Sequence, residues 1–301
     1  MTITQVGFIG LGNMGSPMAG HLADAGFALT VSDAAPGVTE RFVAKHPTAA
    51  AAAGPQSFAA VQALVLMLPT SATVEDVLER EQVADALPPG CLVIDMSSSE
   101  PLRTRSLAAR LQAKGLSMLD APVSGGVRGA RAARLSVLVG GSEADLAQAT
   151  PLLTAIGTTV IRVGDIGSGH AAKALNNLVS AATMSITVEA LVIAEAFGIT
   201  AGTMTEVLNS SSGRSNTSES KLAQFMTSGS FDSGFSLQLM AKDVGLAVAL
   251  ARALDRPVEV ADRVAGQWRR LAGEVTPATD HTQLYTLLGA TVEPQPPEDE
   301  A

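Results

Sequence analysis

The chain has 301 residues, 47% of them hydrophobic and 16% charged, with a formal net charge of −9. That length suits two domains and that apolar content can fill substantial cores, which excludes a disordered or fibrous protein. The acidic balance, with no dense basic block, excludes a nucleic-acid binder, and a single cysteine, Cys91, excludes an internal disulfide and reads as a small buried hydrophobe.

The opening "MTITQVGFIG" lacks the basic region and cleavage pattern of a signal peptide and reads as mature structure. Short apolar runs then alternate with helical-period segments as far as residue 164: "VGFIG", "ALTVSD", "ALVLML", "CLVID", "LSMLD", "LSVLVGG" and "TVIRVG". Runs this short and this apolar predict strands buried on both faces, as in a parallel sheet covered by helices. The alanine run at 49–53 reads as a surface connection or helix end.

After Gly164 the strand signals stop. From Gly169 to Phe197 no proline or further glycine intervenes, which predicts one long helix ending at Gly198 as its cap. Further helical patterns follow at about 201–209, 217–228, 235–254, 257–272 and 279–288. The stretch "ALVIAEAFGI" is interrupted by Glu195 and preceded by Glu189, short of the ~20 apolar residues of a membrane span. A soluble cytoplasmic protein with no membrane contact is the expectation. The expected organisation is an α/β Rossmann domain at 1–164, an all-α domain at 165–290 beginning with the long connecting helix, and a disordered acidic tail at 291–301, where proline and acid predominate.

Chemistry first shows in Gly10, Gly12 and Gly15, spaced G-x-G-x-x-G between an apolar strand and a helix-forming segment, with Asp33 ending the next strand 21 residues after Gly12. In that context the pattern predicts a dinucleotide site. The first glycine permits the tight turn, the second lets the backbone approach a pyrophosphate, and the third lets helix and strand pack closely, with free N–H groups of the helix N-terminus facing the phosphates. The turn residues Leu11, Asn13 and Met14 join the cofactor contacts. Asp33 would accept from the adenosine ribose hydroxyls and repel a 2′-phosphate, and Ser32, Ala34 and Ala35 offer no cation to rescue one. The cofactor expected is NAD rather than NADP.

A second constellation is "GSGHAAKALNNLV", in which Lys173, Asn176 and Asn177 fall at helical spacing and would share a face near the crevice expected between the two halves. A lysine there can give a proton to a carbonyl oxygen or take one from a hydroxyl. By itself the triplet reads better as a surface lysine beside two asparagines that cap or bridge helices.

"GFIGLGNMGSPMAGHL", "LMLP", "DMSSSEP", "DAPVSGG", "GSGHAAKALNN" and "LMAKD", in this order and spacing over roughly residues 5–290, resemble the β-hydroxyacid dehydrogenase family, with its 6-phosphogluconate dehydrogenase-like fold. The resemblance implies an NAD-dependent dehydrogenase moving a hydride between NAD and a small β-hydroxy acid. It makes Lys173 the acid–base residue, Asn177 a substrate contact, and Ser124, Gly125 and Gly126 the holders of the substrate carboxylate. Leu68, Pro69, Thr73 and Ser98 become cofactor contacts, and Lys242 lies by nicotinamide and substrate. Ser98 stands where many members carry threonine. The resemblance also implies a homodimer or homotetramer with a small carboxylate as its partner molecule.

Other features carry less. Arg128, with Arg131 and Arg134 nearby, fits a second anion site or a solvated loop equally well. Ser212 and Asn216, in "NSSSGRSNTSESK", are weak candidates for tuning specificity among turn and cap residues. His21, His46, His170 and His281 show no metal-ligand spacing, so no metal is expected, and His170 is expected as a surface or capping group. Two rivals lose ground: imine reductases on this scaffold usually lack the lysine, and a non-catalytic dinucleotide-binding relative would tend to lose it too.

Overall fold

Alternate residues of the first strands are apolar on both sides, and in the computed structural model, which describes residues 3–292, they feed two separate cores. Val6, Phe8, Ala63, Val65, Leu92 and Ile94 face one layer of helices, while Ile9, Leu64, Leu66 and Val93 face the other. Burying a side chain such as Phe8 on this scale contributes about 1.5–3 kcal/mol, which is why these strands hold the sheet's centre.

The strands are β1 (Gln5–Ile9), β2 (Ala28–Ser32), β3 (Ala49–Ala51), β4 (Ala63–Leu66), β5 (Leu92–Asp95), β6 (Ser117–Asp120), β7 (Val123–Ser124), β8 (Leu135–Gly140) and β9 (Gly157–Gly164). They lie in the order β3-β2-β1-β4-β5-β6-β8, with β7 and β9 both paired to β8. From β3 to β6 every pairing is parallel. This 3-2-1-4-5-6 order is the doubly wound nucleotide-binding arrangement, with its switch point between β1 and β4.

Two expectations need correction. The alanine run is no loose connection, since Ala49–Ala51 pairs with Leu29–Val31 as the edge strand β3; methyl side chains hide strand periodicity. The sheet is also not wholly parallel, because β8 runs antiparallel to β6 and β7. The brief β7 turns the chain back through Gly125 and the short helix Gly126–Arg131 into β8.

Backbone contacts divide the chain into two compact units, meeting between Lys173 and Ala174. The second unit is helical: the helix Ser168–Phe197 runs into it, followed by Ala201–Ser210, the wide i→i+5 helix Thr217–Met226, Leu237–Ala253, Glu259–Gly273 and two short turns over His281–Leu287. Its core gathers Ala181, Met184, Val188 and Leu191 of the long helix around Trp268 and Tyr285, both fully buried. The Trp268 indole N–H donates to Ser185 Oγ at 3.1 Å.

Contrary to expectation, the helix Ser168–Phe197 is by length and composition apolar enough to cross a membrane, since Glu189 and Glu195 are its only acids near the apolar stretch. Its buried face supplies the core of the second unit. The expected tail also begins too early: Tyr285 Oη donates to the Thr291 carbonyl at 3.2 Å, and Val292 packs on the core. The remainder, 293–301, lies outside the described residues.

Candidate active site

The parallel strands end together. Ser32, Ile9, Leu66, Asp95 and Asp120 form one register row across five strands. Gly10, Met67, Met96 and Ala121 extend the ladder by one further hydrogen bond each. Most sequence-predicted residues of the first unit leave the sheet from this edge. Gly10 follows β1, Asp33 follows β2, Leu68 and Pro69 follow β4, and Ser98 follows β5. Ligands of open α/β sheets bind outside such carboxyl ends.

The three glycines differ physically. Gly10 has φ +99°, and a Cβ there would stand 2.3 Å from the Met67 carbonyl oxygen. A Cβ on Gly15 would stand 1.9 Å from the Gly10 carbonyl oxygen, so the helix Gly15–Asp24 can approach the turn only with glycine there. A Cβ on Gly12 meets nothing within 4 Å, so its absence leaves open room beside an exposed backbone. No side chain caps this helix and no acid lies in its first turn, which suits the positive end of its dipole to a diphosphate. The residues present therefore fit a dinucleotide.

Asp33 is held toward the turn: Leu11 N–H donates to its Oδ2 and Ala35 N–H to its Oδ1, both at 2.7 Å. Its remaining lone pairs can accept from ribose hydroxyls. Leu68 is fixed by its N–H donating to Ser97 Oγ at 2.9 Å, and Ser97, fully buried, donates its own N–H to Asp95. Ser97 thus braces the edge, while neighbouring Ser98 is half-buried. The Thr73 N–H donates to Thr70 Oγ1, an N-cap of the helix Ser71–Glu75.

Ser124 pairs with Ser136 on β8, and the chain then passes through Gly125 at φ +126° and Gly126 at φ +61°. Two successive residues in the left-handed region present backbone N–H groups that only glycines place so cheaply. Arg128 follows, exposed.

Lys173 enters the same unit on the first turns of the long helix, half-buried. His170, one turn earlier, overturns its expectation as a surface or capping group. Its side chain is fully buried among Asp95, Asp120 and Thr104. Its Nδ1 is within hydrogen-bond distance of Thr104 Oγ1, both acids stand 3.8 Å from the ring, and its Nε2 makes no hydrogen bond.

In the second unit Asn177 is buried, and its Nδ2 donates to Asp243 Oδ2 at 2.7 Å. Asn176 is exposed, so the stripe expected from Lys173, Asn176 and Asn177 keeps only the i, i+4 pair on its buried side. Asp243, 1% exposed, is a residue the sequence reading passed over, although "LMAKD" sets it in an apolar helix. Its Oδ1 lies 3.4 Å from Lys242 Nζ and makes no hydrogen bond. One carboxylate thus joins Asn177 to Lys242. Ser212 and Asn216 are exposed, whereas Thr217 and Ser218 are buried, and Lys221 Nζ donates to Ser180 Oγ at 3.1 Å.

Two family models together span nearly the whole chain. The NAD binding domain of 6-phosphogluconate dehydrogenase matches residues 5–164, and the NAD-binding domain of NADP-dependent 3-hydroxyisobutyrate dehydrogenase matches residues 167–288. The chain is 39% identical to a 2-(hydroxymethyl)glutarate dehydrogenase of Eubacterium barkeri over 81% of each protein. It is 37% identical to an NAD-dependent L-serine dehydrogenase of Pseudomonas aeruginosa over 95% of this chain and 98% of that one. Among solved structures, the 3-hydroxyisobutyrate dehydrogenase of Mycobacterium tuberculosis with L-serine superposes with a TM-score of 0.89 at 32% identity, covering 96% of this chain and all of the other. With its sheet edge, its glycine turn and these relatives, the chain belongs to the β-hydroxyacid dehydrogenase family of NAD-dependent oxidoreductases.

Proposed function

We propose that this enzyme oxidises a small β-hydroxy acid, or reduces the corresponding semialdehyde or keto acid, with Lys173 as general acid–base. When bound, NAD supplies the nicotinamide carbon that takes or returns the hydride. Lys173 takes the hydroxyl proton in oxidation and returns it in reduction. Ser124 and the N–H groups of Gly125 and Gly126 hold the carboxylate, Asn177 orients the hydroxyl, and Lys242 adds positive charge beside the anion. Gly10, Leu11, Gly12, Asn13, Met14 and Gly15 cradle the diphosphate, with Leu68, Pro69, Thr73 and Ser98 alongside. Asp33, already turned toward the glycine loop, favours NAD over NADP by repelling a 2′-phosphate.

The observation that carries this reading is that the glycine turn, Asp33, Ser124 and the lysine-bearing first turns of the long helix belong to one folded unit. Residues 1–164 then serve the dinucleotide, lending Ser124, Gly125 and Gly126 to the substrate, and 165–290 serve substrate and assembly. A homodimer or homotetramer in the cytoplasm is part of the proposal. The oligomer is supported by an apolar face on the long helix that stays open to solvent in the single chain, formed by Val179, Ile186, Ile193 and Phe197, the last 84% exposed.

Replacing Lys173 by alanine tests the reading. Turnover, followed by nicotinamide absorbance across a panel of β-hydroxy acids with NAD and NADP, is expected to fall by ~10²- to 10⁴-fold, with NADH affinity unchanged. Near-wild-type turnover would refute it.

A further inference from the structure

The start of the long helix is fastened to the sheet by a buried polar cluster that carries no reacting atom. Asp120, the last residue of β6, sends both carboxylate oxygens into the helix's first turn. Oδ1 accepts from Gly167 N–H and Oδ2 from His170 N–H, each at 2.7 Å. These are the donors a helix N-terminus leaves unsatisfied, here capped from a distant strand rather than from the preceding residue. The fit leaves no slack: a Cβ on Gly169 would stand 2.4 Å from the Leu138 carbonyl oxygen, and one on Gly140 2.3 Å from Asp120 Oδ1.

The His170 side chain then reaches back. Its Nδ1 lies 2.9 Å from Thr104 Oγ1 and 3.8 Å from Asp120 Oδ2, and its Nε2 lies 3.8 Å from Asp95 Oδ2. Asp95 is held in turn by Ser97 N–H at 3.0 Å and Ser99 Oγ at 2.9 Å. Burial holds the Asp120 carboxyl above its ordinary range, against the pull of His170 and the two N–H donors. Replacing such clusters with apolar residues is often neutral or stabilising, so stability alone gives little reason to place two acids and an imidazole here. Orientation does: Lys173 lies one turn beyond His170, and the same strand ends launch the cofactor loops.

We infer that Asp120 and His170 are positioning residues, which set the place of the Lys173 amine by locking the first turn of its helix onto the C-terminal edge of the sheet. The inference rests on Lys173 being the acid–base residue. General acid–base catalysis requires reach within hydrogen-bond distance, and a misplacement of ~1 Å can cost ~10²-fold.

The test is a pair of double-mutant cycles. Asp120→Asn, which keeps the volume but replaces one acceptor with a donor, and His170→Ala are each made in the wild-type and Lys173→Ala backgrounds. In the wild-type background kcat is expected to fall by ~10- to 10²-fold, while KM and NADH affinity stay within about twofold. His170→Asn, whose amide can reach Thr104 as Nδ1 does, is expected to recover much of the loss. In the Lys173→Ala background the same substitutions should change residual turnover by less than about twofold. Equal losses in both backgrounds overturn the anchor while leaving Lys173 as the base. So does an unchanged kcat in Asp120→Asn and His170→Ala. Near-wild-type turnover in Lys173→Ala alone instead removes the base assignment and, with it, what the anchor is for. His170→Asn keeps the test open if Asp120→Asn does not fold.

Discussion

Two alanine substitutions three residues apart, at Gly12 and Gly15, should fail in opposite ways. A Cβ on Gly15 would stand 1.9 Å from the Gly10 carbonyl oxygen, about 1.5 Å inside ordinary contact, and also 3.2 Å from Phe8 Cε1. Backbone on one side and a fully buried ring on the other leave nothing flexible to yield. Overpacking of this kind costs about 1–3 kcal/mol, and for a unit of this size each kcal/mol lowers Tm by roughly 2–4 °C. Gly15→Ala should therefore melt about 2–12 °C lower without cofactor. Gly12→Ala places its methyl where no atom lies within 4 Å, so its Tm without cofactor should stay within about 2 °C of wild type. That methyl would enter the room proposed for the diphosphate, and NADH affinity should then fall at least ~10-fold, equivalent to ~1.4 kcal/mol. Thermal melts of the cofactor-free protein and NADH fluorescence titrations read the two effects separately. If Gly12→Ala melts as low as Gly15→Ala, or binds NADH like wild type, the division of labour among these glycines is wrong.

Asp280 and Cys91 give two further tests. Burial alone would raise the Asp280 carboxyl, but donors from His281, Thr282 and Ser233 outweigh it and hold the group well below 3.8. Its ionised form therefore stabilises the fold above the unfolded value, and that contribution is lost as pH falls below about 4. Asp280→Asn strands buried donors at a cost of about 1–3 kcal/mol. The Tm gap to wild type should be widest near neutrality and narrow in acid, whereas a gap independent of pH would contradict the ion-based account. Burial pushes the Cys91 thiol up to about 12, leaving about one molecule in 10⁴ as thiolate at pH 8. The native protein should resist alkylation there and react on denaturation; rapid labelling of folded protein would disprove its burial.

Most of the fold was legible because its physics is local. The strands at 63–66 and 92–95 are buried on both faces, which is what a covered parallel sheet requires, and the helix to Phe197 is bounded by glycines. What escaped notice depends on partners far along the chain. Ala49–Ala51 becomes a strand because β2 offers it an edge, and nothing in three methyl side chains announces that. His170 looked like a surface group because its polarity is visible in sequence while Asp95 and Asp120, 75 and 50 residues earlier, are not visibly its neighbours. The Asp243 carboxylate was similarly overlooked beside Lys242, since only tertiary structure brings it to Asn177. The one available clue was an acid within an otherwise apolar helical face.

These misses share a physical cause that bears on the catalytic reading. A group proposed to react, such as Lys173, can be found by motif because chemistry dictates its type, but its position is set by groups whose type is dictated only by packing. The Asp120 carboxylate fastens the lysine's helix to the sheet, and Asp243 fastens the asparagine one turn further on. Each buried acid satisfies donors that would otherwise cost several kcal/mol if left unpaired, so each arrangement has one low-energy geometry rather than many. Where a polar anchor of that kind replaces an apolar contact of equal volume, stability is little changed but orientation is sharpened, and a proton-transferring amine depends on orientation most.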